Sequence, residues 1–426
     1  MIFTLENMSL GVAAAATQIE GGDLGHSWND WYRRGRIKDG SDPARATDHW
    51  NRWKGDAGLM AGMGLRHYRL GIEWARICPT RDMADQAAVA RYREELQHLR
   101  ELGISPLLTI HHFTNPMWFE DMGGFTKAEN IEIFLDFVAL AVRSFGDLVS
   151  EYITINEPNV YATESYYFGE WPPGEKSMGR AMTVMANMAV CHIRAYGLIH
   201  HIRREMGFDD TRVSFAHHMR AFDPKSPMNP FHRTGTRLME RLFQGVVTPA
   251  LCRGIFKWPL RAPATTKRGE YVDFIAVNYY TRTIVSGFSA GTRKGAPLND
   301  LGWEIYPEGM LRCLRAHYGV IQRPIYITEN GTCDNTDAFR CRYIYEHLKA
   351  LCGSGLPVER YYHWCFCDNF EWAEGESARF VLVHVDYETQ KRTVKKSGEF
   401  YRDVLRAGGV TEELYEAYVK GQEYHD

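Results

Sequence analysis

The sequence predicts an α/β protein, a single (β/α)8 TIM barrel with long loops at the C-terminal face of its strands. Three observations carry this. Eight short runs rich in β-branched and aromatic residues recur along the chain. Amphipathic helical stretches separate most of them, and strict alternation of strand and helix implies parallel strands joined by right-handed crossovers. No Pro/Ser-rich linker divides the 426 residues, a length that one barrel with insertions reaches, so a single domain over 1–426 is expected.

The elements follow in order. Residues 10–18 form the first strand, an apolar run that ends near Gln18 and Glu20. Helix 52–63 leads to strand 65–74, which carries Arg69 and ends on Glu73 and Trp74. Helix 85–102 precedes strand 104–111, which delivers His111 and His112. Helix 127–145 precedes strand 152–156, a β-branched and aromatic run that stops at Asn156-Glu157 because Pro158 follows. Helix 179–206 leads to strand 212–216, and helix 233–251 to strand 273–279, with Asn278, Tyr279 and Tyr280 at its end. Helix 308–318 precedes strand 324–328, which stops at Glu329-Asn330 before the breaker Gly331. Helix 338–354 precedes strand 360–367, which offers Trp364 and then Asn369, Glu371 and Trp372. A helix at 396–405 closes the chain. Loops 21–49, 161–177 and 286–303 follow strands, so they belong to the face where barrel active sites form.

Composition narrows the function. At 45% hydrophobic and 24% charged residues the chain fits a globular protein with a large core. A net charge of -3 and a pI of about 6.6 point away from nucleic acid or an anionic membrane as the main partner. The nine cysteines are odd in number and scattered, which argues against a disulfide framework and for a reducing cytoplasm. Cys365 and Cys367 read as buried thiols, because no second pair stands at zinc spacing. Residues 1–16 lack a basic leader region, and no apolar stretch reaches the length of a membrane span. No metal or cofactor is expected.

Two glutamates carry the chemistry. Glu157 and Glu329 each end a strand-like run and each precede a chain breaker, a position poorly suited to core packing. A closed barrel would bring them together, and a carboxylate pair is the apparatus for breaking a glycosidic bond. The other strand ends add amides, a cation and indoles, the mixture that binds sugar hydroxyls and flat C–H faces.

Here the chain resembles glycoside hydrolase family 1, the β-glucosidase family. "QIEG" at 18–21, "ITINEP" at 153–158, "NYYT" at 278–281, "ITENG" at 327–331 and "DNFEWAEG" at 368–375 resemble its signatures, in the family's order. The segment 379–397 resembles its closing stretch. The resemblance implies that Glu329 is the nucleophile and Glu157 the general acid/base of a retaining mechanism, with carboxyls about 5–5.5 Å apart. It further implies that Arg69 and the Tyr280 hydroxyl keep Glu329 ionised, with Asn278 in support, and that Glu157 starts protonated. Asn156 would bind the 2-hydroxyl. Gln18, His112, Glu371 and Trp372 would hold the other hydroxyls, Trp364 would floor the ring, and Trp303 would be an aglycone platform. The partner implied is a small β-glycoside or short oligosaccharide, and a homo-oligomer is left open.

Some positions depart from the family's pattern. Phe113 stands where an indole is usual, and Asn159 where an aromatic residue often grips the leaving group. The chain is also somewhat short. His111, His217 and His218 read as core histidines. Arg69 and Glu73 fall on one side of a strand and suit an ion pair. A metal-dependent hydrolase is disfavoured because no HxH pair ends a strand, and a non-catalytic relative because both glutamates are present. A 6-phospho-β-glycosidase is the alternative within the family, against which Glu371 counts.

Overall fold

The computed structural model describes residues 1–262 and 266–425, which include every site residue named above but not the last residue of the expected domain. Eight parallel strands close on themselves. They are β1 (Ser9–Ala13), β2 (His67–Gly71), β3 (Ser105–His111), β4 (Glu151–Asn156), β5 (Arg212–Pro224), β6 (Ile275–Ser286), β7 (Ile325–Asn330) and β8 (Val358–Trp364). Each pairs with the next, and β8 pairs with β1 through Arg360 and Ser9 to Trp364 and Ala13, so the barrel has no free edge. This is the TIM barrel that the alternation predicts.

Helices cover the outside, and most turn one apolar stripe inward. In Ile131–Phe145 the buried residues Ile131, Phe134, Leu135, Val138, Ala141, Val142 and Phe145 recur at three- and four-residue spacing, with Phe137 widening the stripe. Met178–Glu205 is longer and buries residues on most of its circumference, since it packs against Ile131–Phe145 and also the rim. Asp85 starts Gln86–Glu101 by accepting from the amides of Ala87 and Ala88. Asp334 does the same for Arg340–Cys352, accepting from Ala338, Phe339 and Arg340.

Three elements differ from expectation. The first strand stops at Ala13, and Gln18 sits on a helical turn, Ala16–Ile19. Beyond Ala14, whose amide still donates to Arg69 O at 2.9 Å, no neighbouring strand remains to pair with, and a run of alanines coils readily. The fifth and sixth strands run on to Pro224 and Ser286, pairing with each other past the rim from Ala221–Arg282 to Pro224–Val285. The helix expected at 233–251 is two, Pro230–Glu240 and Val247–Arg253, joined by a π-helical turn at Arg241–Gly245. The three long loops do lie at the C-terminal rim, and two of them bring Trp171 and Trp303 to the central cleft.

A buried ionic cluster ties the outer layer together. His49, at the start of His49–Gly62, contacts Asp56 Oδ2 through Nδ1 and Glu95 Oε1 through Nε2, each at 2.8 Å. Arg392, from the C-terminal segment, reaches Asp56 at 2.9 Å, and Arg91 reaches Glu95 at 3.1 Å. Burial opposes charge on the imidazole, but the two carboxylates outweigh it and raise the His49 pKa to about 10. Because the folded-state value lies above the ordinary 6.5, its stabilisation is complete below about pH 6.5 and fades as pH rises through about 10. His49→Leu should therefore destabilise the protein by about 3–5 kcal/mol at pH 6, because it leaves buried carboxylates short of a cation. Denaturation midpoints at pH 6 and pH 10 check this; an equal loss at both pH values would refute the ionic role.

Candidate active site

The barrel register assembles the site. His218 of β5 pairs with Asn278 of β6, and Asn278 pairs with Glu329 of β7, so three side chains from adjacent strands meet at one level of the rim. Arg69, on β2, reaches across the barrel to them. It is fully buried, at 0% exposure. Its Nη1 donates to Glu329 Oε1 at 2.5 Å and to Thr328 O at 3.1 Å, its Nη2 to Asn156 Oδ1 at 2.6 Å, and its Nε to Thr109 Oγ1 at 3.1 Å. The other oxygen of Glu329 accepts from the Tyr280 hydroxyl at 2.5 Å. Glu329 is thus held at both oxygens, by a cation and a neutral donor.

The expected pairing of Arg69 with Glu73 does not form. The strand ends at Gly71, so two-residue alternation no longer applies at Glu73. Glu73 instead caps the short helix Trp74–Ile77, accepting from Ala75 N at 3.2 Å and from the Thr17 hydroxyl.

Glu157 is placed by a turn. It adopts φ 42 and ψ 61, a left-handed conformation that costs a residue with Cβ on the order of 1 kcal/mol or more. Its amide donates to Ala216 O at 2.8 Å, and Pro158 at the first helical position sets the following helix, Pro158–Thr163. Its Oε1 accepts from Asn278 Nδ2 at 2.6 Å. Asn278 is itself fixed, because its Oδ1 accepts from Thr328 Oγ1 at 2.6 Å. Asn156 Oδ1 takes hydrogens from Arg69 and Asn278, which turns its Nδ2 toward His112 Nε2 at 2.9 Å.

Around these groups lies a cleft of about 220 Å³ whose walls include His112, Phe113, Glu157, Tyr280, Glu329 and Trp364. Trp372 packs nearly parallel to the His112 ring at 5.7 Å, and Phe113 wedges between Trp372 and Trp171. Trp303 stands at the mouth, 37% exposed, with its ring 5.9 Å from Tyr280 and 5.9 Å from Phe380. Gln18 donates to Phe370 O at 3.0 Å and to Glu371 at 3.3 Å, while its Oε1 has no partner. His112 Nδ1 is likewise buried and unpartnered.

Burial dominates the ionisation of the acids. It pushes Glu329 up to about 7, against the pull of Arg69, with Glu157 adding to the rise and the hydrogen bonds from Tyr280 and Arg69 opposing it. It pushes Glu371 up to about 8, against hydrogen bonds from Trp364, Asn369 and Gln18. The expectation that Arg69 and Tyr280 act on Glu329 matches these contacts, but against burial they limit the rise and do not reverse it. Burial also keeps Tyr280 a phenol and His112 a neutral imidazole.

The sequence reading of two residues, His218 and Asn159, changes. His111, bonded to Asn115 at 2.9 Å, and His217 are core residues as expected, but His218 is not. His218 lines the cleft, with Nδ1 3.2 Å from Glu157 Oε1. The two-residue alternation of Ala216, His218 and Arg220 was the available signal. Asn159 faces away from the mouth, its Nδ2 donating to His218 O at 2.9 Å, and Val160 lines the wall beside it. Glu164, Trp171 and Phe380 also line the cleft, and nothing in their flanks marked them.

The model of glycosyl hydrolase family 1 matches residues 5–410, and the chain belongs to that family. It is similar to β-glucosidase A of Thermotoga maritima, 30% identical over 95% of this chain and 98% of that one. It is 27% identical to a β-galactosidase of Sulfolobus acidocaldarius, over 92% of each chain. A Thermotoga maritima β-glucosidase solved in complex with glucoimidazole superposes with a TM-score of 0.87 at 30% identity, covering 96% of this chain and all of that one.

Removing the neutral donor isolates its effect on Glu329. A hydrogen bond to a charged group is worth about 1.5–3 kcal/mol, so Tyr280→Phe should raise the Glu329 pKa by at least about one unit. Isotope-edited infrared or carboxyl NMR titration checks this, and an unmoved Glu329 would show that the phenol does not act on it.

Proposed function

We propose that this chain hydrolyses β-glycosides with retention of configuration, acting on terminal non-reducing β-D-glucosyl residues and, less selectively, on galactosyl or fucosyl ones. The supporting observation is the unlike setting of two carboxyls at one rim: Glu329 gripped at both oxygens by Arg69 and Tyr280, Glu157 held at one oxygen by Asn278. In this reading Glu329 attacks the anomeric carbon as the glycosidic C–O bond breaks, and Glu157 gives its proton to the departing oxygen. Water then adds to the glycosyl–enzyme ester as Glu157 takes its proton back, freeing Glu329.

The orphaned Gln18 Oε1 and His112 Nδ1 suit sugar hydroxyls, as acceptor and donor. Asn156 Nδ2 has a second hydrogen to give, and Trp364 and Trp372 offer flat faces. The relatives named as β-glucosidases, and the one holding glucoimidazole, support the glucosyl assignment. All nine cysteines are free thiols, which supports the cytoplasm as the compartment. Among the described residues no helix is long and apolar enough to cross a membrane.

Glu329→Ala should lower turnover of an aryl β-glucoside at least about a thousandfold. Glu157→Ala should cost about 10²–10⁴-fold with poor leaving groups and far less in the first step with activated ones, with azide giving a β-glycosyl azide. Proton NMR of the first product from the unmodified enzyme should show the β-anomer; the α-anomer would end the retaining assignment.

The 6-phospho alternative meets an acidic wall. Glu371 and Glu374 line the cleft beside Trp372, whereas Arg220, the cation among the lining residues, stands beside His218 and Glu157. A like-charge pair at 4 Å costs about 4 kcal/mol at an effective dielectric near 20, but burial raises Glu371 to about 8 and Lys38 pairs with Glu374, so only a fraction of that cost applies at neutral pH. The unmodified enzyme should still favour an aryl β-glucoside over its 6-phosphate by at least about tenfold in kcat/KM. Faster cleavage of the phosphate ester would replace this substrate class with the other.

A further inference from the structure

Glu157 has a second contact that its proposed role leaves unused. Arg220, two residues beyond His218 on β5, places Nη2 3.2 Å from His218 Nε2. A guanidinium can only donate, so Nε2 must accept and the ring hydrogen must sit on Nδ1. That Nδ1 lies 3.2 Å from Glu157 Oε1, the oxygen that already accepts from Asn278 at 2.6 Å. Among the described residues no group hydrogen-bonds Glu157 Oε2. We propose that Arg220 and His218 form a positioning pair: Arg220 locks the His218 tautomer, and His218 with Asn278 reserves Oε1 as an acceptor, so that the acid proton of Glu157 is carried on Oε2, toward the leaving group. This inference rests on the acid/base reading of Glu157.

The surroundings fit a fixed pair. The His218 ring packs at 23° to Tyr280 with centroids 5.8 Å apart, and meets the Phe243 ring edge-on at 5.8 Å. Arg220 lies over the face of Phe243 at 5.0 Å, and its amide donates to Gln244 at 3.1 Å. Among the described residues Arg220 has no carboxylate within ion-pair distance. The charged or titratable groups facing the pair are Glu157 from the end of β4, Glu164 from the turn after it, His217 on β5 itself, and Tyr279 and Tyr280 on β6. Cys313, from Pro307–Tyr318, stands behind Arg220, and Glu329 lies beyond Tyr280. His218 faces Glu157 as a donor and Arg220 stands behind it as a cation, so the loss of either should move the basic limb of the pH–rate profile upward.

The test uses the full chain with two aryl or alkyl β-glucosides, one with a 2,4-dinitrophenyl leaving group and one with a simple alkyl leaving group. His218→Phe and Arg220→Met should each shift the basic limb of kcat/KM upward by about half to one pH unit. Each should lower kcat/KM at least about tenfold for the alkyl substrate and by much less for the dinitrophenyl one, which needs little protonation. Arg220→Lys keeps a group that can only donate, and His218→Asn keeps an amide donor, so both should recover most of the alkyl activity. A purely structural role would lower both substrates alike and leave the limb in place, and that outcome overturns the proposal. Glu157→Gln on the dinitrophenyl substrate separates the two readings. If that variant keeps the basic limb, the acid/base reading fails and the pair has nothing to position. If it loses the limb while the His218 and Arg220 variants keep theirs at the unmodified position, the pair alone is refuted.

Discussion

The buried guanidinium of Arg69 is the constraint on which the rest of the site depends. A charge removed from water costs several kcal/mol unless it is fully paired and hydrogen-bonded. Arg69 meets that demand with side chains or carbonyls from three other strands: Thr109 on β3, Asn156 on β4, and Thr328 and Glu329 on β7. Its planar fork fixes where each partner must lie, which a lysine could not do. The consequences pass outward. Asn156 is oriented by Arg69 and so presents its amide nitrogen to His112. Asn278 bridges Asn156 to Glu157, which links both carboxyls to a single cation near the barrel axis.

One cation does not satisfy every acid at the rim. Burial raises Glu329 to about 7, Glu73 to about 7 and Glu371 to about 8. Glu120, which accepts from Asn115 Nδ2 at 2.6 Å, is also raised by burial, to about 7. Glu329 and Glu371 line the cleft whereas Glu73 and Glu120 lie behind it, and in all four burial is the largest cause of the rise because it disfavours the charged form. The acids therefore differ by their neighbours rather than by type. Glu329 has a cation and a phenol, Glu371 has an indole and two amides, and Glu73 has a hydroxyl and a helix start.

Three of the eight non-glycine residues with positive φ among the described residues lie in the same place. Phe113, Glu157 and Trp372 all have positive φ, at 64, 42 and 50 respectively, although none is glycine. Each is at the end of a strand or in the loop after one, and each lines the cleft. Such conformations persist when the surroundings over-determine them. Here Glu157 is pinned by Ala216 and Asn278, and the Phe113 and Trp372 rings are packed against each other and against Trp171. A packed aromatic collar thus holds the polar centre on a rigid rim.

What the sequence determined by itself was the barrel and the identity of its central residues. Strand and helix periods are local, so alternation over the whole chain was enough to specify parallel strands and a closed sheet. Glu157 and Glu329 stood out because a carboxylate between an apolar run and a chain breaker has no packing role, and the motifs around them are contiguous in the chain. Tertiary structure decided what contact alone can decide. Whether Arg69 met Glu73 or Glu329 turned on the strand ending at Gly71, and Gln18 came from a helical turn because no strand was left to pair with it. His218 looked like a core histidine because its partners, Glu157 and Asn278, lie far from it in sequence; only the barrel register sets them side by side. The level of each pKa was also beyond the sequence, because burial, the largest influence on Glu329 and Glu371, exists only once the walls of the cleft have closed around them.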